Sequence, residues 1–89
     1  MNVDSQFFSQ VQDLLETMTV LSRQEIRPEA SLEEDLGLNL DEDLPRLLSL
    51  INRQFAIELD PDLVMEELSE AGATVAELAK LIHDEYELG

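Results

Sequence analysis

Ala30-Ser-Leu-Glu-Glu-Asp-Leu-Gly37 and its continuation, Leu38-Asn-Leu-Asp-Glu-Asp-Leu-Pro-Arg-Leu-Leu-Ser-Leu-Ile-Asn-Arg-Gln-Phe55, decide the fold. Ser31 followed three residues later by Glu34 is a capping-box spacing, so it opens a short turn that Gly37 closes. Beyond it, Leu44, Leu47, Leu48, Ile51 and Phe55 recur at helical spacing and mark one apolar face of a helix over about residues 42–55. Asp41, Glu42 and Asp43 precede that face, where carboxylates favour the positive end of the helix dipole. Proline is comfortable only in the first turn, so Pro45 makes Asp43 or Glu42 a better cap than Asp41.

The pattern extends on both sides. Upstream, Val3, Phe7, Val11, Leu14, Leu15 and Met18 form a stripe with polar residues between them, which predicts a first helix over about residues 4–19. Pro28 stops any continuation, and residues 20–40 read as a long ordered loop. Downstream, Asp60-Pro61-Asp62 is an N-cap with proline at the first helical position, followed by Leu63, Val64 and Leu68, so a short third helix ends by Gly72. Thr74-Val-Ala-Glu77 is a second capping box, and Val75, Leu78, Leu81, Ile82 and Tyr86 predict the buried stripe of a fourth helix. No period-2 alternation competes. The expected fold is all-α, one four-helix bundle domain spanning residues 1–89, with a long loop between its first two helices.

The charge balance narrows the partners. Among 89 residues, 21 are acidic and 5 are Lys or Arg, for a net charge of -16. Such a surface repels nucleic-acid phosphates and anionic lipid, and favours basic proteins or cations. Hydrophobic residues make up 44% of the chain, enough for one core but not two. There is no Cys, hence no disulfide framework or thiol nucleophile, which suits a reducing compartment. No apolar run approaches a membrane span, and Met1-Asn-Val-Asp-Ser5 lacks the features of a signal peptide. The sequence therefore reads as a soluble, cytoplasmic monomer.

Candidates for chemistry are few. His83 is the only histidine, has no Cys beside it, and reads as a solvated helix residue. The pairs Asp41/Asp43 and Asp60/Asp62 offer oxygen ligands, but neither opens an Asp-x-Asp-x-Asp-Gly loop, and helix capping accounts for both. Gly37, Gly72 and Gly89 are too scattered to cradle a phosphate. No catalytic residue and no metal site are expected.

The segment Ala30 to Gly37 resembles the loop before the second helix of acyl carrier proteins, where a similar Asp-Leu-Gly closes a one-turn helix. The first-helix stripe, Glu25-Ile26 before Pro28, Leu47-Leu48-x-x-Ile51-x-x-x-Phe55, Ile57-x-Leu59-x-Pro61-Asp62 and Thr74-Val75 follow in that family's order. The likeness covers about residues 7–82 and implies the family's four-helix bundle. It also implies a test of function. Carriers bear 4'-phosphopantetheine on a serine in an Asp-Ser-Leu motif at the start of the second helix. Counting back from Phe55, that position falls on Asp41, flanked by Leu40 and Glu42, and no serine stands there. The nearest hydroxyls are Ser31, in the loop turn, and Ser49, between Leu48 and Leu50 in mid-helix.

A second departure concerns charge. The family's second helix presents acids to basic patches of synthases and transferases, whereas this chain has Arg46, Asn52, Arg53 and Gln54 at positions where carriers usually have Glu. Arg46 and Arg53 lie seven residues apart, on one helix face; a local ion pair with Asp43 and a changed partner specificity are both consistent with them. Asp41, Glu42, Asp43, Arg46 and Arg53 are the candidate partner-binding residues. The resemblance thus implies a carrier-like module that holds no pantetheine and acts by protein contact. Two alternatives stand beside it. One is a working carrier in fatty-acid or polyketide-type synthesis, modified at Ser31 or Ser49; the other is a bundle that binds a fatty-acyl chain without covalent attachment.

Overall fold

A computed structural model of the chain describes residues 5–88 and is all-helical. Helices α1 (Ser5–Met18), α2 (Leu40–Phe55), α3 (Pro61–Ala71) and α4 (Val75–Leu88) follow in order, with a 3-10 turn at Arg23–Glu25 in the long loop. Val3, at the head of the predicted first stripe, and Asp4, the predicted start of that helix, lie outside the described residues. Among the described residues no helix is long and apolar enough to cross a membrane.

The predicted stripes meet in one cluster. Val11, Leu14 and Leu15 of α1, Leu44, Leu47, Leu48, Ile51 and Phe55 of α2, Val64 and Leu68 of α3, and Val75, Leu78 and Ile82 of α4 are all buried. The loop contributes Ile26, Ala30, Leu32, Leu36 and Leu38, so it is part of the core rather than a tether. Phe7, Met18 and Leu81 pack against it partly buried, and two predicted stripe residues are exposed. Leu63 is 51% exposed and Tyr86 53% exposed, because each sits at the margin of its helix's inner face.

Backbone hydrogen bonds explain how a segment with no long helix stays ordered. The first N–H groups of a helix have no partner inside it. Here the N–H groups of Val75 and Ala76 donate to the carbonyls of Ala30 and Pro28, at 3.0 and 2.9 Å, and Leu32 N–H donates to Ala73 O at 2.8 Å. The loop therefore caps α4 while α4 pins the loop. From the other side Gln12 Nε2 of α1 donates to Ile26 O at 2.8 Å. The Ser31 turn forms as predicted, with one change of partner. Ser31 Oγ accepts from Glu34 N–H at 3.1 Å, but Ser31 N–H donates to the Asp35 carboxylate at 2.7 Å rather than to Glu34. Gly37 then leaves the turn at a φ of +75°, a conformation that costs a glycine little.

The short α3 begins as expected, with Asp60 accepting from Asp62 N–H at 3.0 Å and Pro61 at the first helical position. At the fourth helix one half of the expected capping box forms, Thr74 Oγ1 accepting from Glu77 N–H at 3.2 Å, without the return bond from Thr74 N–H to the Glu77 side chain among the described residues. The start of α2 differs from the expectation. Its cap is Asn39, not Asp43 or Glu42, and the helix begins at Leu40 with Pro45 inside it. The reason is burial. Leu40 and Leu44, one turn apart, are 5% and 2% exposed, so starting the helix two residues earlier puts Leu40 on the same buried face as Leu44. Pro45 is exposed, and the helix tolerates it at the loss of one solvent-side hydrogen bond.

Candidate functional site: the start of α2

The position that matters most by sequence is Asp41, and the geometry around it is set by Asn39. Asn39 Oδ1 accepts from Asp41 N–H at 3.1 Å. Asn39 O accepts from the N–H groups of Glu42 and Asp43, at 3.1 and 2.6 Å. In return Asn39 N–H donates to the Asp43 carboxylate at 3.0 Å, and the Asn39 side-chain amide donates to Glu42 Oε2 at 3.3 Å. This closed set satisfies the N–H groups of residues 39, 41, 42 and 43. A helix N-terminus is ordinarily ready to receive a phosphate because its N–H groups are free. Here three of the four that a helix start leaves open, those of Asn39, Asp41 and Glu42, are engaged, Asp43 N–H makes the first ordinary helical bond, and the acids Asp41, Glu42 and Asp43 crowd the first turn.

Asp41 and Glu42 are exposed, and Asp43 is half-buried beneath the turn. The Asn39 N–H holds the Asp43 carboxyl below the ordinary aspartate range, against the opposing effect of partial burial; Arg46 adds a smaller hydrogen bond and charge. Arg46 Nη2 lies 3.2 Å from Asp43 Oδ1, the local ion pair that the sequence allowed. Such an exposed pair contributes only tenths of a kcal/mol, about 0.2–1 at most. Arg53 has no carboxylate within pairing distance among the described residues. It lies two turns further along α2, beside a cleft shared with Asp13, Leu14 and Thr17 of α1. The acids of the first turn and Arg53 therefore occupy opposite ends of the helix.

The two alternative hydroxyls stand elsewhere. Ser31 Oγ is engaged in its own turn, and Ser31 pairs with Thr74 in an isolated bridge. Ser49 is exposed but lies in the middle of α2, far from any helix start. A cleft of about 300 Å³ opens between Leu40 of α2 and Met65, Leu68 and Ser69 of α3, with Glu33 on its rim.

Two features escaped sequence reasoning. The 3-10 turn at Arg23–Glu25 is closed by Ser22, whose N–H and Oγ both donate to Glu25 Oε1 at 3.2 Å. Ser22 and Glu25 have the same three-residue capping spacing as Ser31 and Glu34, and that signal was available. His83 is the other. Its side chain is only 16% exposed, and its ring stands edge-on to Phe7 at 5.2 Å between centroids, so it is not the solvated residue expected. The partner comes from α1, seventy-six positions away, which helical periodicity within α4 does not reveal.

No protein-family model matches the chain, and the curated proteins contain no significant match to it.

Proposed function

We propose that this chain is an acyl-carrier-like module that bears no 4'-phosphopantetheine and works by protein contact, with the start of α2 as its docking element. The observation that carries the reading is the closed hydrogen-bond set around Asn39. It engages three of the four N–H groups that a helix start leaves open, those of Asn39, Asp41 and Glu42, and it sets three carboxylates where an attached phosphate's charge would lie. Like charges at that spacing disfavour a phosphodiester. The same carboxylates, with Asp41 and Glu42 exposed, are suited to meet a basic surface, such as that of a synthase or transferase-like enzyme. Arg46, paired with Asp43, and Arg53, without a carboxylate partner among the described residues, narrow the set of surfaces that fit. The module has no catalytic role in this reading and acts as a cytoplasmic monomer.

The test is a binding titration against purified synthases and transferases that carry a basic patch, with wild type and an Asp41→Lys/Glu42→Lys double variant. The reading expects binding that weakens as salt rises and falls by an order of magnitude or more in the variant. Binding that survives the charge reversal places the contact elsewhere.

A further inference from the structure

At the end of the bundle opposite Asp41, three helices leave a groove of about 550 Å³. Phe7 and Gln10 come from α1, Gln54, Phe55 and Ala56 from the end of α2, and His83, Tyr86 and Glu87 from α4. Its walls are aromatic. Phe7 and Phe55 lie 4.9 Å apart between centroids, Phe7 and Tyr86 5.8 Å, and Phe55 and Tyr86 6.4 Å in a T-shaped arrangement. These rings are packed too closely for a guest to sit between them, so a ligand would rest on their outer faces, chiefly that of Tyr86, which is 53% exposed.

Among the described residues the charges and dipole ends at the groove are predominantly negative. Helices α2 and α4 both end at it, presenting the negative ends of two helix dipoles against the single positive end of α1. Aromatic faces carry the negative part of the ring quadrupole. Glu87 adds a carboxylate that is 64% exposed, and its nearest oxygen stands 3.6 Å from His83 Nδ1, beyond direct hydrogen-bond distance. No Lys or Arg lines the groove among the described residues. The chain's net charge of -16 raises the local concentration of any cation. The groove is open to solvent, and its polar groups are few: the Gln10 and Gln54 amides, His83 and Glu87.

We infer that this groove binds an organic cation with an apolar body, an alkylated or quaternary ammonium group, held over Tyr86 by cation–π attraction and paired with Glu87. The recognition uses none of the residues at the start of α2, so it stands or falls separately from the docking role proposed there. Neutral apolar ligands lack the charge to which the two helix ends and Glu87 respond, and anions are repelled by the same groups.

Tyr86 is the chain's only tyrosine and there is no tryptophan, so intrinsic fluorescence reports this groove alone. The experiment titrates the full chain with choline at constant ionic strength, and in parallel with choline's neutral isostere, in which carbon replaces the quaternary nitrogen. The expected result is a saturable change in Tyr86 fluorescence with choline and a several-fold weaker one with the isostere. Glu87→Gln, at an exposed position that leaves the core intact, should raise the choline Kd about three-fold. Tyr86→Leu, followed through the side-chain amide signals of Gln10 and Gln54, should weaken binding about three-fold or more. An equal response to the isostere, a Kd unchanged by Glu87→Gln, or a linear response without saturation would each overturn the assignment.

Discussion

Replacing Pro45 by alanine should stabilise the protein, and the size of the gain depends on where α2 begins. The helix starts at Leu40, so residue 45 should donate its N–H to the carbonyl of Asp41, four residues back. Proline has no N–H, and its ring crowds that same carbonyl. In a helix interior proline is about 3 kcal/mol worse than alanine. That figure is an upper bound here, because Asp41 and Pro45 are both exposed and water can reach the orphaned carbonyl. Alanine also frees the unfolded chain, which returns about 0.4–1 kcal/mol. The net expectation is a stabilisation of about 1–2 kcal/mol, or a rise in Tm of about 5–15 °C for a domain of this size. Thermal melts followed by far-UV circular dichroism at matched salt measure it. If the helix instead began near Glu42 or Asp43, Pro45 would occupy the first turn, where its missing N–H costs nothing. Pro45→Ala would then leave Tm unchanged or lower it, and that result would refute the placement of Asn39 as the cap.

The remaining predictions concern the same turn and the charge around it. Asn39→Ala removes the side-chain acceptor for Asp41 N–H and should cost about 1 kcal/mol, read as a lower Tm by about 4–8 °C. Asp43 should titrate below the ordinary aspartate range in a carboxyl-detected NMR titration, chiefly because its carboxylate accepts from Asn39 N–H. A folded pKa below the unfolded one means that Asp43 contributes stability above the ordinary aspartate pKa and loses it as the pH falls through the folded value. The advantage of wild type over Asp43→Asn should therefore be full at neutral pH and vanish in acid; an advantage that grows in acid contradicts the hydrogen bond. Because 16 surplus negative charges repel one another, Tm should rise from low to moderate salt and rise again with added magnesium or calcium, and a flat profile would show that self-repulsion is unimportant.

Much of the bundle was legible because each helix writes its inner face at 3.6-residue spacing. Leu47, Leu48 and Ile51, and likewise Val75, Leu78 and Ile82, went from sequence to core without exception. Turn chemistry was equally readable where one side chain does one job, as with Ser31, Asp60 and Thr74. The start of α2 was misplaced because two local rules disagree there. Pro45 argues for a late start and Asn39 for an early one, and the burial of Leu40 and Leu44, a tertiary effect, decides between them. His83 and Tyr86 changed places for a similar reason. Phe7 crosses from α1 to cover the imidazole, whereas the outer side of Tyr86 meets no further helix among the described residues. Of the candidate site, the absence of a serine and the excess of acid were plain in the sequence. That the N–H groups of Asn39, Asp41 and Glu42 were already engaged was not, because it depends on which residue serves as the cap.

The central claim is that the chain bears no pantetheine arm. Its most direct test is the intact mass of the full chain after co-expression with a broad-specificity phosphopantetheinyl transferase, beside an ordinary carrier as positive control. The account predicts a mass unchanged from that of the sequence while the control is fully modified. A gain equal to the phosphopantetheine arm, lost again in Ser31→Ala or Ser49→Ala, would contradict it and make the chain a working carrier.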